Sequence, residues 1–398
     1  MSFGVYFHIP YCLQRCTYCD FATYERSKIM PTDDYVELVK QEIRTRRPGL
    51  PYTTTDTIYF GGGTPSLLRP DQIISLIQAL ENEGLRRSPG CEITMEINPA
   101  TLSPQNLKEL MAFGVNRFSV GAQTFDDGLL KSVHREHDAR QTRETLGMLS
   151  EWGVNYSADL LFALPGQDFA TLEKDVAAML DFRPPHISPY CLTVPEGHVL
   201  SKGRPLDDVQ LAMFRHIDEK LRAAGYERYE ISNYALPGFH SRHNSLYWQD
   251  QPYWGIGLSA HSYLPDLEWG TRFWNAANIK VYEAQIRAAA EERWSTPYAG
   301  LPPEQRETLA AHEALTDFCH TSLRTDQGLE LAALEAKFGP PGCRLVAGPL
   351  ARLVSEDLLR REGSTYRLSP EGVFVSNAVF RELTFLPEEW SKAALPAP

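Results

Sequence analysis

Cys12, Cys16 and Cys19 stand in the run Y-C-L-Q-R-C-T-Y-C-D-F at 11–21, so three of the chain's seven cysteines fall within eight residues. Composition alone would give this spacing ~0.002 times in such a chain. Thiolates are the ligands of structural zinc and of iron–sulfur clusters, and both ordinarily take four protein groups. A zinc ion would need a fourth ligand nearby, and His8 and Asp20 are the local choices. Three buried, unreactive cysteines are the plain alternative. The third reading is a [4Fe-4S] cubane held by three thiolates, with one iron left for an exchangeable ligand. The amine and carboxylate of an amino acid can chelate that iron through N and O.

Further residues stand where such a ligand could be held. Gly61-Gly62-Gly63-Thr64-Pro65 follows a β-rich run, and glycines let backbone groups approach a ligand without side-chain clash. No Gly-Lys-Ser/Thr follows, so this is not a Walker loop. Glu96 ends a third β-rich run and can accept hydrogen bonds from ribose hydroxyls or an amine. Gln123 ends the fourth, Asp159 lies in the fifth, and Arg135 can pair a carboxylate bidentately. Each alone suits a surface or core network equally well. Their joint placement after successive strands favours ligand roles.

The elements that must position them alternate. Strands are predicted at 4–9, 56–60, 92–97, 116–120, 156–164 and 186–192, with amphipathic helices between, as at 34–43 and 72–80. Thr32 with Asp33 or Asp34, and Ser103-Pro104, read as helix starts. Six strand–helix repeats imply an α/β fold with a parallel sheet. Chemistry gathered at the strand ends predicts a closed or partial βα barrel over 1–225. From 226 to 300 aromatics crowd in (Tyr226, Tyr229, Tyr234, Phe239, Tyr247, Trp248, Tyr253, Trp254), broken by glycine and proline. This reads as an irregular extension packed against or over the barrel mouth. Over 301–390, helical stretches at 304–320, 328–338 and 345–356 precede a hairpin at 358–369 with Gly363-Ser364 at its turn. That order suggests a winged-helix-like domain with a protein-contact or covering role. Residues 391–398 read as a disordered tail.

Hydrophobic residues make up 43% and charged residues 23% of the 398, and the formal net charge is −12. That charge argues against nucleic acid or an anionic membrane as the main partner. The basic clusters Arg44, Arg46, Arg47 and Arg360, Arg361 read as solvated faces. No secretory leader and no apolar run of ~18 residues is present. Few, odd and unevenly spaced cysteines argue against a disulfide framework, so a reducing cytoplasm is expected.

Taken together, Y-F-H-I-P-Y-C-L-Q-R-C-T-Y-C-D-F, F-G-G-G-T-P, E-I-N-P, S-V-G-A-Q-T-F, H-R and D-L-L-F-A-L-P-G-Q resemble the HemN/HemW branch of the radical S-adenosylmethionine (SAM) superfamily. Tyr18 before Cys19 matches that superfamily's C-x-x-x-C-x-aromatic-C form. The resemblance spans residues 1 to about 300 and extends to the C-terminal part. It implies a [4Fe-4S] cluster on Cys12, Cys16 and Cys19. It implies SAM among Tyr6, Gly62, Glu96, Gln123, Arg135 and Asp159, with Tyr18 and the Gly63-Thr64 backbone nearby. In that superfamily an electron from the cluster cleaves the sulfonium and releases a deoxyadenosyl radical.

Within the branch, coproporphyrinogen III dehydrogenases decarboxylate propionates, whereas other members are haem chaperones. Three features favour the chaperone. Phe21 stands where the decarboxylating type has a further cysteine. The first strand starts at residue 4, without the N-terminal extension of that type. His243-Asn244-Ser245-Leu246-Tyr247-Trp248 matches an H-N-x-x-Y-W motif associated with haem handling. Imidazole is a good axial ligand for haem iron, and Tyr247 and Trp248 offer flat apolar area. His243, Asn244, Tyr247 and Trp248 are thus the haem-binding candidates, with His240 and His261 in reserve. Read without the resemblance, these are core and hydrogen-bonding residues. The implied function is binding haem and passing it to an acceptor haem protein, such as a respiratory one, with an electron donor for the cluster. The alternatives are anaerobic porphyrinogen decarboxylation and an interaction module on a scaffold without a cluster. The identity of acceptor and donor, and whether two copies form a homodimer, stay open.

Overall fold

The computed structural model describes residues 2–266 and 269–395. Its first six long strands are Gly4–Ile9, Thr54–Gly62, Arg86–Ile97, Arg117–Gln123, Tyr156–Phe162 and His186–Cys191. Side chains alternate along them with period two. Val5, Phe7, Ile58, Phe60, Ile93, Met95, Phe118, Val120, Ala158, Leu160 and Ile187 join the main apolar core. The residues between them, among them Glu96, Ser119, Asp159 and Ser188, line an inner cavity. The strands pair in parallel and in chain order. Amphipathic helices carry the chain back between them. Pro70–Asn82 buries Ile73, Leu76, Ile77 and Leu80, one stripe at helical spacing. Ser103 caps the helix Pro104–Phe113 by accepting from the Asn106 N–H at 3.1 Å. Thr32 opens its helix too, but Pro31 is the N-cap; the Thr32 hydroxyl instead accepts from Gln72 Nε2 at 3.0 Å.

The barrel is not closed. The sheet has twelve strands in linear order, and all but one of the added strands come from the region expected to be an irregular cover; the other, Arg306–Thr308, comes from the stretch expected to be the C-terminal domain. Tyr253–Ile256 pairs in parallel with Gly4–Ile9, and His261–Leu264, Thr271–Trp274 and Arg306–Thr308 extend that edge antiparallel. Asn233–Ala235 and Glu227–Glu230 extend the other edge. These strands are three or four residues long, too short for a legible alternation. The unpaired backbone of the parallel sheet's edges supplies their partners.

A buried carboxylate welds this extension to the first helix. Glu42 accepts from the Gly257 N–H (2.9 Å), Tyr282 Oη (2.6 Å) and Asn275 Nδ2 (2.8 Å), and pairs with Arg46 at 2.9 Å. Arg46 is 1% exposed, and Arg47 is buried with its guanidinium on the Leu50, Tyr52 and Gly84 carbonyls. The expectation that this cluster is a solvated face is therefore corrected for both, whereas Arg360 and Arg361 are exposed.

A second core gathers Leu315, Cys319, Leu323, Leu334, Leu350, Leu353 and Val379. Its first helix, Ala311–Arg324, begins later than the expected 304–320 because Arg306–Thr308 joins the large sheet. The stretches at 328–338 and 345–356 fall in two helical segments within Leu331–Ser355, parted at Gly339, whose φ of +60° is not helical, ahead of Pro340 and Pro341. Leu359–Glu362 and Thr365–Leu368 form the expected hairpin. The helix Ala311–Arg324 straps the open barrel. Asp317 pairs with Arg272 near one sheet edge, while Arg324 pairs with Glu230 at 2.7 Å on the other. Thr325 adds a β-bridge to Glu230. A last helix spans Pro387–Ala394, so residues 391–394 of the expected disordered tail are helical; residues 396–398 lie outside the described ones. Among the described residues no helix is long and apolar enough to cross a membrane.

Candidate functional site

At the C-terminal strand ends lies a cavity of about 450 Å³, which Cys12, Cys16 and Cys19 all line. A short strand, Tyr11–Cys12, pairs with Tyr24–Glu25, and the loop between them carries the other two thiols. The Cys19 N–H donates to the Cys16 carbonyl and the Thr17 N–H to that of Val133, both at 3.2 Å. Among the described residues no three His, Cys, Asp or Glu side chains converge on one ion. A cubane asks less, because each thiolate goes to a different iron. Three thiols on one loop, facing one cavity, fit such a cluster better than a zinc ion. Burial pushes the Cys12 thiol up to about 11, so its thiolate needs a bound cation to persist.

The glycine run has a reason other than access for a ligand. The Gly63 and Thr64 N–H groups donate to the Ile9 and Tyr11 carbonyls at 2.8 and 2.7 Å. A Cβ on Gly63 would stand 2.5 Å from the Tyr11 oxygen, and one on Gly62, whose φ is +109°, 2.6 Å from the His8 ring. The turn thus lies flat against the strand that leads into Cys12. Thr64 Oγ1 accepts from Asn98 Nδ2 at 3.1 Å.

Glu96 accepts from Tyr59 Oη (2.9 Å) and the Gly62 N–H (3.1 Å); burial raises it to about 7, and the Asp159 charge adds to the shift. Burial raises Asp159 itself to about 6. Gln123 takes a left-handed conformation, φ +66°, as its strand ends, a strain that aims residues at functional sites. Arg135 is not a free fork. It donates to Cys16 Sγ (3.4 Å), Tyr18 Oη (3.5 Å), Asn98 Oδ1 (2.8 Å) and the Gly121 carbonyl (2.8 Å), so it braces the cysteine loop. Sequence reasoning missed Tyr59, Asn98, Arg117 and His186, which also line this cavity. Their signal was polarity at alternate positions within, or for Asn98 just past, apolar strands. Arg117 is 2% exposed, and its Nε finds no partner among the described residues.

A second cavity, about 640 Å³, lies between the barrel mouth, the extension and the strap helix. Tyr6, expected beside SAM, lines this one, with its hydroxyl 3.2 Å from His8 Nδ1. Phe21, 63% exposed, lines both cavities. The H-N-x-x-Y-W motif forms the helix Arg242–Trp248, which divides its residues between them. Asn244 lines the cluster cavity, and Tyr247 and Trp248 line the second.

His243 lines neither and is 1% exposed. Its Nδ1 meets Thr57 Oγ1 at 2.7 Å, its Nε2 meets Tyr247 Oη at 2.8 Å, and its ring stacks on Tyr59 at 5.1 Å. Burial lowers it to about 3. With both nitrogens engaged, this imidazole offers no free ligand atom. The cause is local: Glu92 accepts the N–H groups of Arg242 and His243 and draws the helix start into the barrel. His240 stacks on Tyr229 at 4.2 Å. His261 is exposed on the wall of the second cavity.

A cysteine triplet on a loop after the first strand of an open, parallel βα barrel defines a radical SAM protein. Residues 6–179 match the family model of the radical SAM superfamily, and residues 309–375 match that of the HemN C-terminal domain. The "Heme chaperone HemW" of Lactococcus lactis is 33% identical over 391 residues, which cover 95% of this chain and 96% of that protein. The protein of the same name from Bacillus subtilis is 32% identical over 390 residues, covering 95% and 98%. The chain belongs to the HemW family. Its fold is also that of Escherichia coli coproporphyrinogen III oxidase (HemN), a radical SAM enzyme, with a TM-score of 0.80 at 20% identity, covering 96% of this chain and 90% of that one.

Proposed function

We propose that the protein takes up haem and passes it to an acceptor haem protein, on a scaffold that also holds a [4Fe-4S] cluster and SAM. The observation that carries this reading is the aromatic cavity adjoining the cysteine loop, walled in part by Tyr247 and Trp248. Flat apolar walls suit a macrocycle. Cys12, Cys16 and Cys19 would hold the cluster, and Arg135 braces Cys16 from behind. Gly62, Gly63, Thr64, Glu96, Gln123 and Asp159 would surround SAM in the cavity they line or adjoin. When bound and reduced, the cluster supplies an electron to the sulfonium.

This chain's own residues supply the setting. Glu96 and Asp159 offer carboxylates whose charge is set by burial. Phe21, at the shared wall, offers a hydrocarbon face where a thiol would offer a hydrogen atom. The acceptor and an electron donor are protein partners in the cytoplasm.

The test uses one anaerobically reconstituted preparation. It should bind haem at one equivalent and yield it to an apo-haem protein, while leaving coproporphyrinogen III unchanged with SAM and reductant present. Conversion to protoporphyrinogen IX would overturn the proposal.

A further inference from the structure

An axial haem ligand needs an imidazole nitrogen free of protein partners, beside space for the macrocycle. Two histidines near the site fail the first condition. His243 has both nitrogens engaged. His8 meets the Ala22 carbonyl at 3.0 Å through Nε2 and Tyr6 Oη at 3.2 Å through Nδ1. His186 keeps a partner-free Nδ1, but it is buried on the wall of the cluster cavity, with Nε2 at 2.8 Å from Tyr229 Oη, and does not line the larger cavity. His240 fails the second, since it lines neither cavity.

His261 meets both conditions. It is exposed and lines the larger cavity. Among the described residues its ring nitrogens have no hydrogen-bond partner, and the ring is steadied by stacking on Trp274 at 5.6 Å. Around it stand Tyr6, Tyr247, Trp248, Tyr253, Tyr263 and Trp269. Trp248 adds a second observation: its indole Nε1 is buried and has no partner among the described residues. It is a donor left over for a ligand. Asp20 and Phe21, the two residues after Cys19, line the same cavity, so a ligand there abuts the cysteine loop.

We infer that haem occupies the cavity between the barrel mouth and the strap helix, with His261 as its axial ligand. His243 is then a positioning residue that holds Tyr247 in the cavity wall. This inference rests on the haem-carrier reading but can fail without it.

The experiment titrates hemin into the full-length protein and follows the Soret band. In His261→Ala, hemin should bind at least tenfold more weakly with a shifted band, and added imidazole should restore the band. A second variant, Thr321→Trp, fills the cavity from the strap helix without touching an iron ligand and should lower affinity at least tenfold. Circular dichroism and a melting curve establish that each variant folds. If both folded variants bind hemin with the wild-type affinity and spectrum, the site assignment is overturned while haem carriage stands. If the wild-type protein binds no hemin, the haem-carrier reading falls and this inference with it.

Discussion

Gly62 has the backbone of a turn that no β-carbon fits, since φ is +109° and the His8 ring lies 2.6 Å from where Cβ would be. Gly62→Ala should therefore cost ~1–3 kcal/mol in thermal unfolding and impair assembly of the broad iron–sulfur absorbance. Glu96 makes a pH prediction. Its folded-state value, about 7, lies above the ordinary 4.5, so the fold prefers the protonated acid. That contribution to stability is complete below about 4.5 and is lost as pH rises through about 7. Melting temperature should fall over this window in the unliganded protein. Glu96→Gln should flatten the slope, and the residue left should come from Asp159, whose value is raised in the same direction. At this scale the sequence was most informative about type and spacing. The cysteines, Glu96, Gln123 and Asp159 were all legible because each sits at or near a strand end. What Arg135 does was not legible: a guanidinium that could grip a carboxylate is instead occupied by Cys16, Tyr18, Asn98 and Gly121, and only their convergence in space reveals it.

Two elements decide how the mouth is framed. The strap helix Ala311–Arg324 joins the sheet edges that a closed barrel would join by strand pairing. Arg324→Ala would leave the fully buried Glu230 carboxylate without its cation and remove the guanidinium lying 4.4 Å over Trp248. Arg324 is itself partly exposed, so the expected cost is ~2 kcal/mol, visible as faster proteolysis within residues 300–330 and a lower melting temperature. Glu42→Ala removes the acceptor of four groups and strands Arg46 in the core; it should cost ~3–5 kcal/mol in denaturant unfolding. Neither element's role was visible in sequence. Arg46 reads as one more charge on a helix because its partner Asn275, and the Gly257 and Tyr282 groups that share Glu42 with it, lie more than two hundred residues away.

Over the whole molecule, two cavities share Phe21 and the helix Arg242–Trp248, so ligands bound in both would meet at one wall. SAM added to the reconstituted protein at a hundred times its dissociation constant should stabilise it by ~2.7 kcal/mol, and Cys16→Ala should abolish the increment. Adding hemin separately and then together with SAM tests the shared wall. Increments that add within ~0.5 kcal/mol mean independent cavities, and a larger deviation means coupling through Phe21. The sequence by itself determined the α/β class, the six parallel strands, the cysteine loop and the family, because these rest on local periodicity and on short motifs that pack against their own neighbours. Only the tertiary structure decided that the barrel stays open, that its edges are extended by strands of three or four residues, and that a C-terminal helix ties them. It likewise decided which histidine is free. His243 and His261 are both single imidazoles in an aromatic-rich region; Thr57 and Glu92 from distant segments and Tyr247 from the next turn of the same helix engage the first, and no hydrogen-bonding group among the described residues reaches the ring of the second.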